Sequence, residues 1–101
     1  MMFIAIVDFG TSAANRARAL SQLECERPVV RSMPGNLAFR VYESREDDRT
    51  VTVVHEWTDQ PSFTAYLASE AFARSNAVLR ALVTEGPVSR RFRADLVESV
   101  A

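Results

Sequence analysis

The sequence predicts an α+β domain in the order β-α-β-β-α-β, and three observations carry that prediction. Leu37 to Ser44 and Thr50 to Trp57 alternate their side chains with a period of two, and the charged run Arg45 to Arg49 separates them. Two other stretches, after Ser12 and after Asp59, repeat apolar residues at helical spacing. An apolar strand-like segment, Phe3 to Phe9, precedes these four, and a last strand, Val88 to Val97, follows them. With 101 residues, 48% of them apolar and 25% charged, residues 1 to 101 make one folded domain with one core.

Each element follows from local chemistry. Ile4, Ile6 and Val7 favour a first strand, and Gly10-Thr11-Ser12 breaks it, with Thr11 or Ser12 placed to cap a helix. In that helix Ala13, Ala17, Leu20 and Leu23 form the apolar face, while Arg16, Arg18, Gln22 and Glu26 are polar. Pro28 lacks a backbone donor and disfavours helical geometry in the residue before it, so the helix is expected to end or kink near Glu26, with Val29 to Met33 able to continue as a second, displaced turn. Pro34-Gly35-Asn36 turns the chain into a second strand, with Leu37, Phe39 and Val41 on one face and Ala38, Arg40 and Tyr42 on the other.

The third strand places Val51, Val53, His55 and Trp57 on one face, and Thr52, Val54, Glu56 and Thr58 on the opposite one. Asp59 caps the second helix, with Pro61 tolerated in its first turn; Ser69 recaps it, and the restarted stretch runs from Glu70 to Val83. Glu85-Gly86-Pro87 reads as the stop signal before the last strand. The order gives a ferredoxin-like, four-stranded antiparallel sheet with its helices on one face. Strand one is apolar on both faces, and Val54 adds to the side without helices, so the bare face predicts a homodimer with sheets face to face.

Composition excludes several functions. A net charge of −1 offers no attraction for nucleic acid or an anionic membrane. All basic residues are Arg, so without Lys there is neither a Schiff-base mechanism nor a pyridoxal anchor. Cys25 is the one cysteine, which rules out an internal disulfide and a Cys-based metal site. No glycine-rich phosphate loop or dinucleotide fingerprint occurs, and no second His accompanies His55, so neither cofactor nor metal is expected. The N-terminus has no basic region before its apolar run, and no apolar run has membrane-spanning length; a cytoplasmic location is the expectation.

The chemistry-bearing residues gather where the third strand meets the second helix. His55 and Glu56 point to opposite faces and form no acid/base pair. On the helix side His55 would sit among apolar groups, where desolvation favours the neutral ring able to accept a proton. A half-buried histidine bonded to a neighbour fits the same pattern. Trp57 and Tyr66 could wall a pocket for a flat organic ligand, or pack a core. Phe63, Phe72 and Phe39 carry size, which cores use, and Asn76 suits either the pocket or solvent. Arg90, Arg91 and Arg93 form a basic cluster on the last strand.

The Pro-Gly turn followed by LAFRVYES, and the stretch VVHEWTDQPSFTAYLASEAF, make the chain resemble the antibiotic biosynthesis monooxygenase family of dimeric α/β-barrel proteins. The shared features are the Pro34-Gly35 turn, the Glu56-Trp57 strand end, Asp59, and the small-residue break before Phe72. The resemblance implies the fold, the dimer and, for some members, oxygenation of anthrones or quinols without metal or flavin. In that chemistry a deprotonated phenolic substrate itself reduces oxygen. On that model Trp57 and Tyr66 hold the ring system and His55 is the base; the candidate site is then His55 and Tyr66 as catalytic residues, with Trp57, Phe63, Phe72 and Asn76 around the substrate. Members that degrade haem carry a histidine where Asn76 stands, and an amide is a poor iron ligand. The chain departs from many relatives in having Tyr66 in place of a histidine and in having Pro28. A non-catalytic, dimeric small-ligand-binding or stress-associated module is the alternative function.

Overall fold

A computed structural model describes the whole chain, Met1 to Ala101. It contains β1 (Met2–Thr11), α1 (Arg16–Arg31), β2 (Asn36–Glu43), β3 (Thr50–Trp57), α2 (Gln60–Leu67), α3 (Glu70–Arg80) and β4 (Val83–Ala94), with a short 3-10 turn at Ala13–Asn15. The strands form one antiparallel sheet in the order β2-β3-β1-β4, the ferredoxin-like arrangement.

Strand β3 sets the two sides of this sheet. Val51, Val53, His55 and Trp57 are buried toward the helices, and the residues between them are half-buried on the outer face. Register carries that division across the sheet: Phe39, His55, Ala5 and Arg91 form one inner row, and Val41, Val53, Val7 and Ser89 the next. A single core of Phe3, Ala5, Phe9, Val51, Val53 and Trp57 from the sheet, with Leu23, Val30, Phe63 and Tyr66 from the helices, joins the layers.

Helix α2 begins as the sequence indicated, since the Asp59 carboxylate accepts the Ser62 N–H at 2.9 Å and Pro61 occupies the first turn. The Ser69 hydroxyl accepts the Phe72 N–H at 3.2 Å and starts α3. The Pro34-Gly35 turn fits against this same region: Gly35 has φ +82°, and a Cβ there would collide with Ser62 and Thr58.

Four expectations are corrected. Neither Thr11 nor Ser12 caps α1; the Thr11 hydroxyl donates to the Ser12 carbonyl at 2.7 Å, and the chain enters α1 through the 3-10 turn. Helix α1 does not stop near Glu26 but continues past Pro28 to Arg31. Pro28 and Glu24, whose carbonyl loses its donor, are both exposed, so water can satisfy that carbonyl. The longer helix accordingly turns a different stripe inward, Ala19, Leu23, Glu26 and Val30, so that Ala13 and Ala17, expected on the apolar face, are exposed and Glu26, expected among the polar residues, lies inside.

The third correction concerns β2, where an irregularity between Asn36 and Ala38 leaves Leu37 exposed instead of sharing the inner face with Phe39 and Val41. The fourth concerns Glu85-Gly86-Pro87, which lies within β4; α3 ends at Arg80 and the final strand spans Val83–Ala94. Because β4 is an edge strand with register shifts opposite Asp8, Gly10 and Thr11, it accommodates both a proline and a glycine at φ +79°.

Candidate functional site

Between sheet and helices lies a cavity of about 480 Å³. Its floor is Val7, Phe9, Phe39, Val53 and His55, and its roof is built by Leu23 and Glu26 of α1, Phe63, Tyr66 and Leu67 of α2, and Phe72, Ser75, Asn76 and Leu79 of α3. The rim combines Arg80 at the end of α3 with Gly86, Pro87, Ser89 and Arg91 of β4, all exposed, so the cavity opens at this edge of the sheet. The size and mainly apolar, aromatic lining suit a small flat molecule.

His55 owes its place to strand alternation and to the small Ala5 beside it in the sheet. Phe39, Phe63 and Tyr66 surround the ring at centroid distances of 5.5 to 5.6 Å. Burial, assisted by the Arg91 guanidinium, lowers its pKa to about 4, so the ring is neutral near pH 7. The Trp57 indole N–H donates to His55 Nδ1 at 2.9 Å. The neutral ring therefore carries its proton on Nε2. Every buried side-chain nitrogen and oxygen has a hydrogen-bond partner, and Nε2 has none within the protein, so Nε2 reaches the open space of the cavity. His55 thus presents a donor there, whereas the sequence suggested an acceptor.

Trp57 is fully buried and lies outside the cavity wall. It stacks on Tyr66 at 5.4 Å and serves the site from behind, by fixing the His55 tautomer. Tyr66, Phe63, Phe72 and Asn76 do line the cavity, with Phe72 set edge-on to Tyr66 at 5.1 Å. Of the arginine cluster, Arg91 lies over the Phe63 ring at 5.0 Å, Arg93 donates to Gln60 at 2.7 Å, and Arg90 approaches Asp8 at 3.7 Å.

Sequence reasoning missed the carboxyl group of this cavity. Glu26 is buried between the three helices; its Oε1 accepts the Tyr66 hydroxyl at 2.8 Å and its Oε2 the Ser75 hydroxyl at 2.7 Å. Burial raises the Glu26 pKa, and the two hydroxyl hydrogen bonds partly counter the rise. Tyr66 is held well above the ordinary phenol range by burial, the Glu26 charge and their hydrogen bond. An unpaired buried carboxylate costs several kcal/mol, so the two donors are needed to retain it. The available signal was the spacing Ala19, Leu23, Glu26, Val30, a continuous helical stripe with one acid in it.

No group of three or more His, Cys, Asp or Glu side chains is placed to hold a metal ion, and no helix is long and apolar enough to cross a membrane.

Fold and cavity together define a small α+β protein of the ferredoxin-like class with an aromatic-lined cavity between sheet and helices. Residues 2–78 match the family model for antibiotic biosynthesis monooxygenase, and the chain belongs to that family. Among solved structures it is similar to SnoaB, a cofactor-independent oxygenase from Streptomyces nogalater, with 23% identity, a TM-score of 0.83 and coverage of 95% of each chain. It is also similar to Rv0793 from Mycobacterium tuberculosis, with 16% identity, a TM-score of 0.86 and coverage of 99% and 100%. A conserved protein from Methanosarcina mazei shows 14% identity, a TM-score of 0.88 and coverage of 94% of each chain. At these identities the likeness concerns the fold. No curated protein matches the sequence.

Proposed function

We propose that the protein is a cytoplasmic, cofactor-independent monooxygenase acting on a flat phenolic, anthrone or quinol-type molecule. The observation that carries this reading is the aromatic cavity whose apolar walls hold one neutral imidazole donor and one hydroxyl-bound carboxyl group. Family membership and the oxygenase activity in the name of SnoaB support it.

Phe63 and Phe72 sandwich or flank the ring system, and Asn76 orients a polar substituent. Loss of a hydroxyl proton makes the substrate electron-rich enough to reduce oxygen directly. The His55 Nε2–H then stabilises the oxyanion from a water-poor wall, and Tyr66 contacts the oxygen that loses its proton. For an anthrone the methylene and O₂ become a carbonyl and water, so the substrate supplies all the electrons.

The active form on this reading is a homodimer formed through the outer sheet face. Ile4, Ile6 and Val54 are half-buried there in the single chain, and Val88 and Phe92 are 59% and 44% exposed. Covering their remaining apolar surface is favourable by roughly 25 cal/mol per Å² removed from water. Sedimentation should give twice the chain mass, with Ile6→Asp reducing it to one; a monomeric parent protein would sink the dimer.

Oxygen uptake by the purified protein, measured against anthrones and quinols, tests the activity. Uptake should fall by ~10² or more in His55→Ala and in Tyr66→Phe. Retained uptake in both variants would remove these residues from the site. Binding without any uptake would favour a ligand-binding module.

A further inference from the structure

We propose that Glu26 is the terminal proton acceptor of this cavity, taking the hydroxyl proton of a bound phenol or enol through Tyr66. The inference deepens the phenolic-substrate reading above and rests on it.

Three observations converge. Glu26 is the sole carboxylate among the side chains lining the cavity. The His55 nitrogen that would compete as acceptor, Nδ1, is occupied by the Trp57 N–H. Tyr66 donates its own proton to Glu26 Oε1, which leaves the lone pairs of its oxygen free to accept a hydrogen bond from a molecule in the cavity. A hydroxyl proton leaving a ligand in this space therefore finds an ordered path of two short steps.

As the ligand O–H bond breaks, a new bond forms at the Tyr66 oxygen, and the original Tyr66 proton moves to Oε1. Glu26 becomes a neutral carboxylic acid and the ligand a phenolate or enolate. No electron changes hands and the complex keeps its total charge. Burial favours the neutral form of Glu26, and Ser75 holds Oε2 so that Oε1 stays aimed at Tyr66. The other titratable or charged groups around the space are His55 on β3 and Arg80 and Arg91 on the exposed rim. Both arginines favour the anion that results.

The charged state of a bound phenol is visible without turnover. A hydroxyanthraquinone, an already oxidised relative of an anthrone, changes its visible absorption when its hydroxyl ionises. Bound to the parent protein it should show the phenolate band at pH values below its ionisation in water. Glu26→Gln, which preserves size and a hydrogen-bonding oxygen, should bind the probe and lose that band. Tyr66→Phe should also lose it while leaving Glu26 in place, and carries the test if the glutamine variant melts prematurely by circular dichroism.

A probe that binds the parent in its neutral form, or ionises equally in Glu26→Gln, overturns the proposal and leaves oxygenation open to another acceptor. A phenolate band without oxygen uptake upholds the proton acceptor and counts against the oxygenase. A probe that never enters the cavity overturns both.

Discussion

His55 on the sheet wall and Glu26 on the helix wall are both ionisable, buried and bonded to an aromatic residue, yet their environments act on them differently. The indole N–H approaches His55 as a donor, and burial lowers its pKa, so the ring stays neutral and fixed in one tautomer. Tyr66 and Ser75 also approach as donors, but to a carboxyl group whose pKa burial raises. Desolvation suppresses charge in both cases. For the base that gives a fixed donor, and for the acid a group ready to receive a proton. One cavity thus holds two roles because the same physical penalty meets opposite charge types.

The largest test of this contrast is acid stability. His55 binds its proton less readily when folded, with a pKa of about 4 against 6.5, so its contribution is fully present above pH 6.5 and lost as pH falls through about 4. The loss should reach about 3 kcal/mol in urea unfolding, and His55→Gln should abolish it. Glu26 has the opposite sign: its raised pKa gives stability that is full below the ordinary value of 4.5 and declines as pH rises through the folded value. In His55→Gln the Glu26 gain toward acid should be opposed only by Asp47 and Asp59, whose hydrogen-bonded carboxyls are held below their ordinary range, so the acid loss should be much smaller than in the parent. A variant that weakens in acid as much as the parent would show that His55 does not dominate the acid limb.

A smaller effect sharpens the helix wall. Ser75→Ala leaves Oε2 without its donor and should cost about 1 to 3 kcal/mol near neutral pH, as thermal or urea unfolding would measure. The same change should raise the Glu26 pKa further, so its cost should shrink in acid. An equal cost at all pH values would mean that Ser75 contributes packing and not charge stabilisation.

The sheet wall was legible from the sequence because a strand alternates strictly. Once Val51, Val53 and Trp57 were placed on one face, His55 had to join them. The helix wall was not, for a traceable reason. Placing the apolar face on Ala13, Ala17, Leu20 and Leu23, and breaking or kinking the helix at Pro28, set Val30 apart from the stripe that it completes through Ala19, Leu23 and Glu26. Glycine and proline in β4 misled in the same way, since their local turn preference yields to an irregular edge strand. The acceptor atom of the hydrogen bond to His55 was invisible too: sequence shows that Trp57 lies two residues away, but not which ring nitrogen it meets.

The alternation of β3 has a further meaning for descent. Its odd positions furnish the buried core, with Val53 and His55 in the cavity floor, and its even positions the outer face, so two selective pressures are written in alternate letters of one eight-residue word. A lineage can respell one set, changing what neighbours the sheet accepts, while the other set keeps its text. Variation at even positions and constancy at odd ones would then mark relatives that share a chemistry but have changed company.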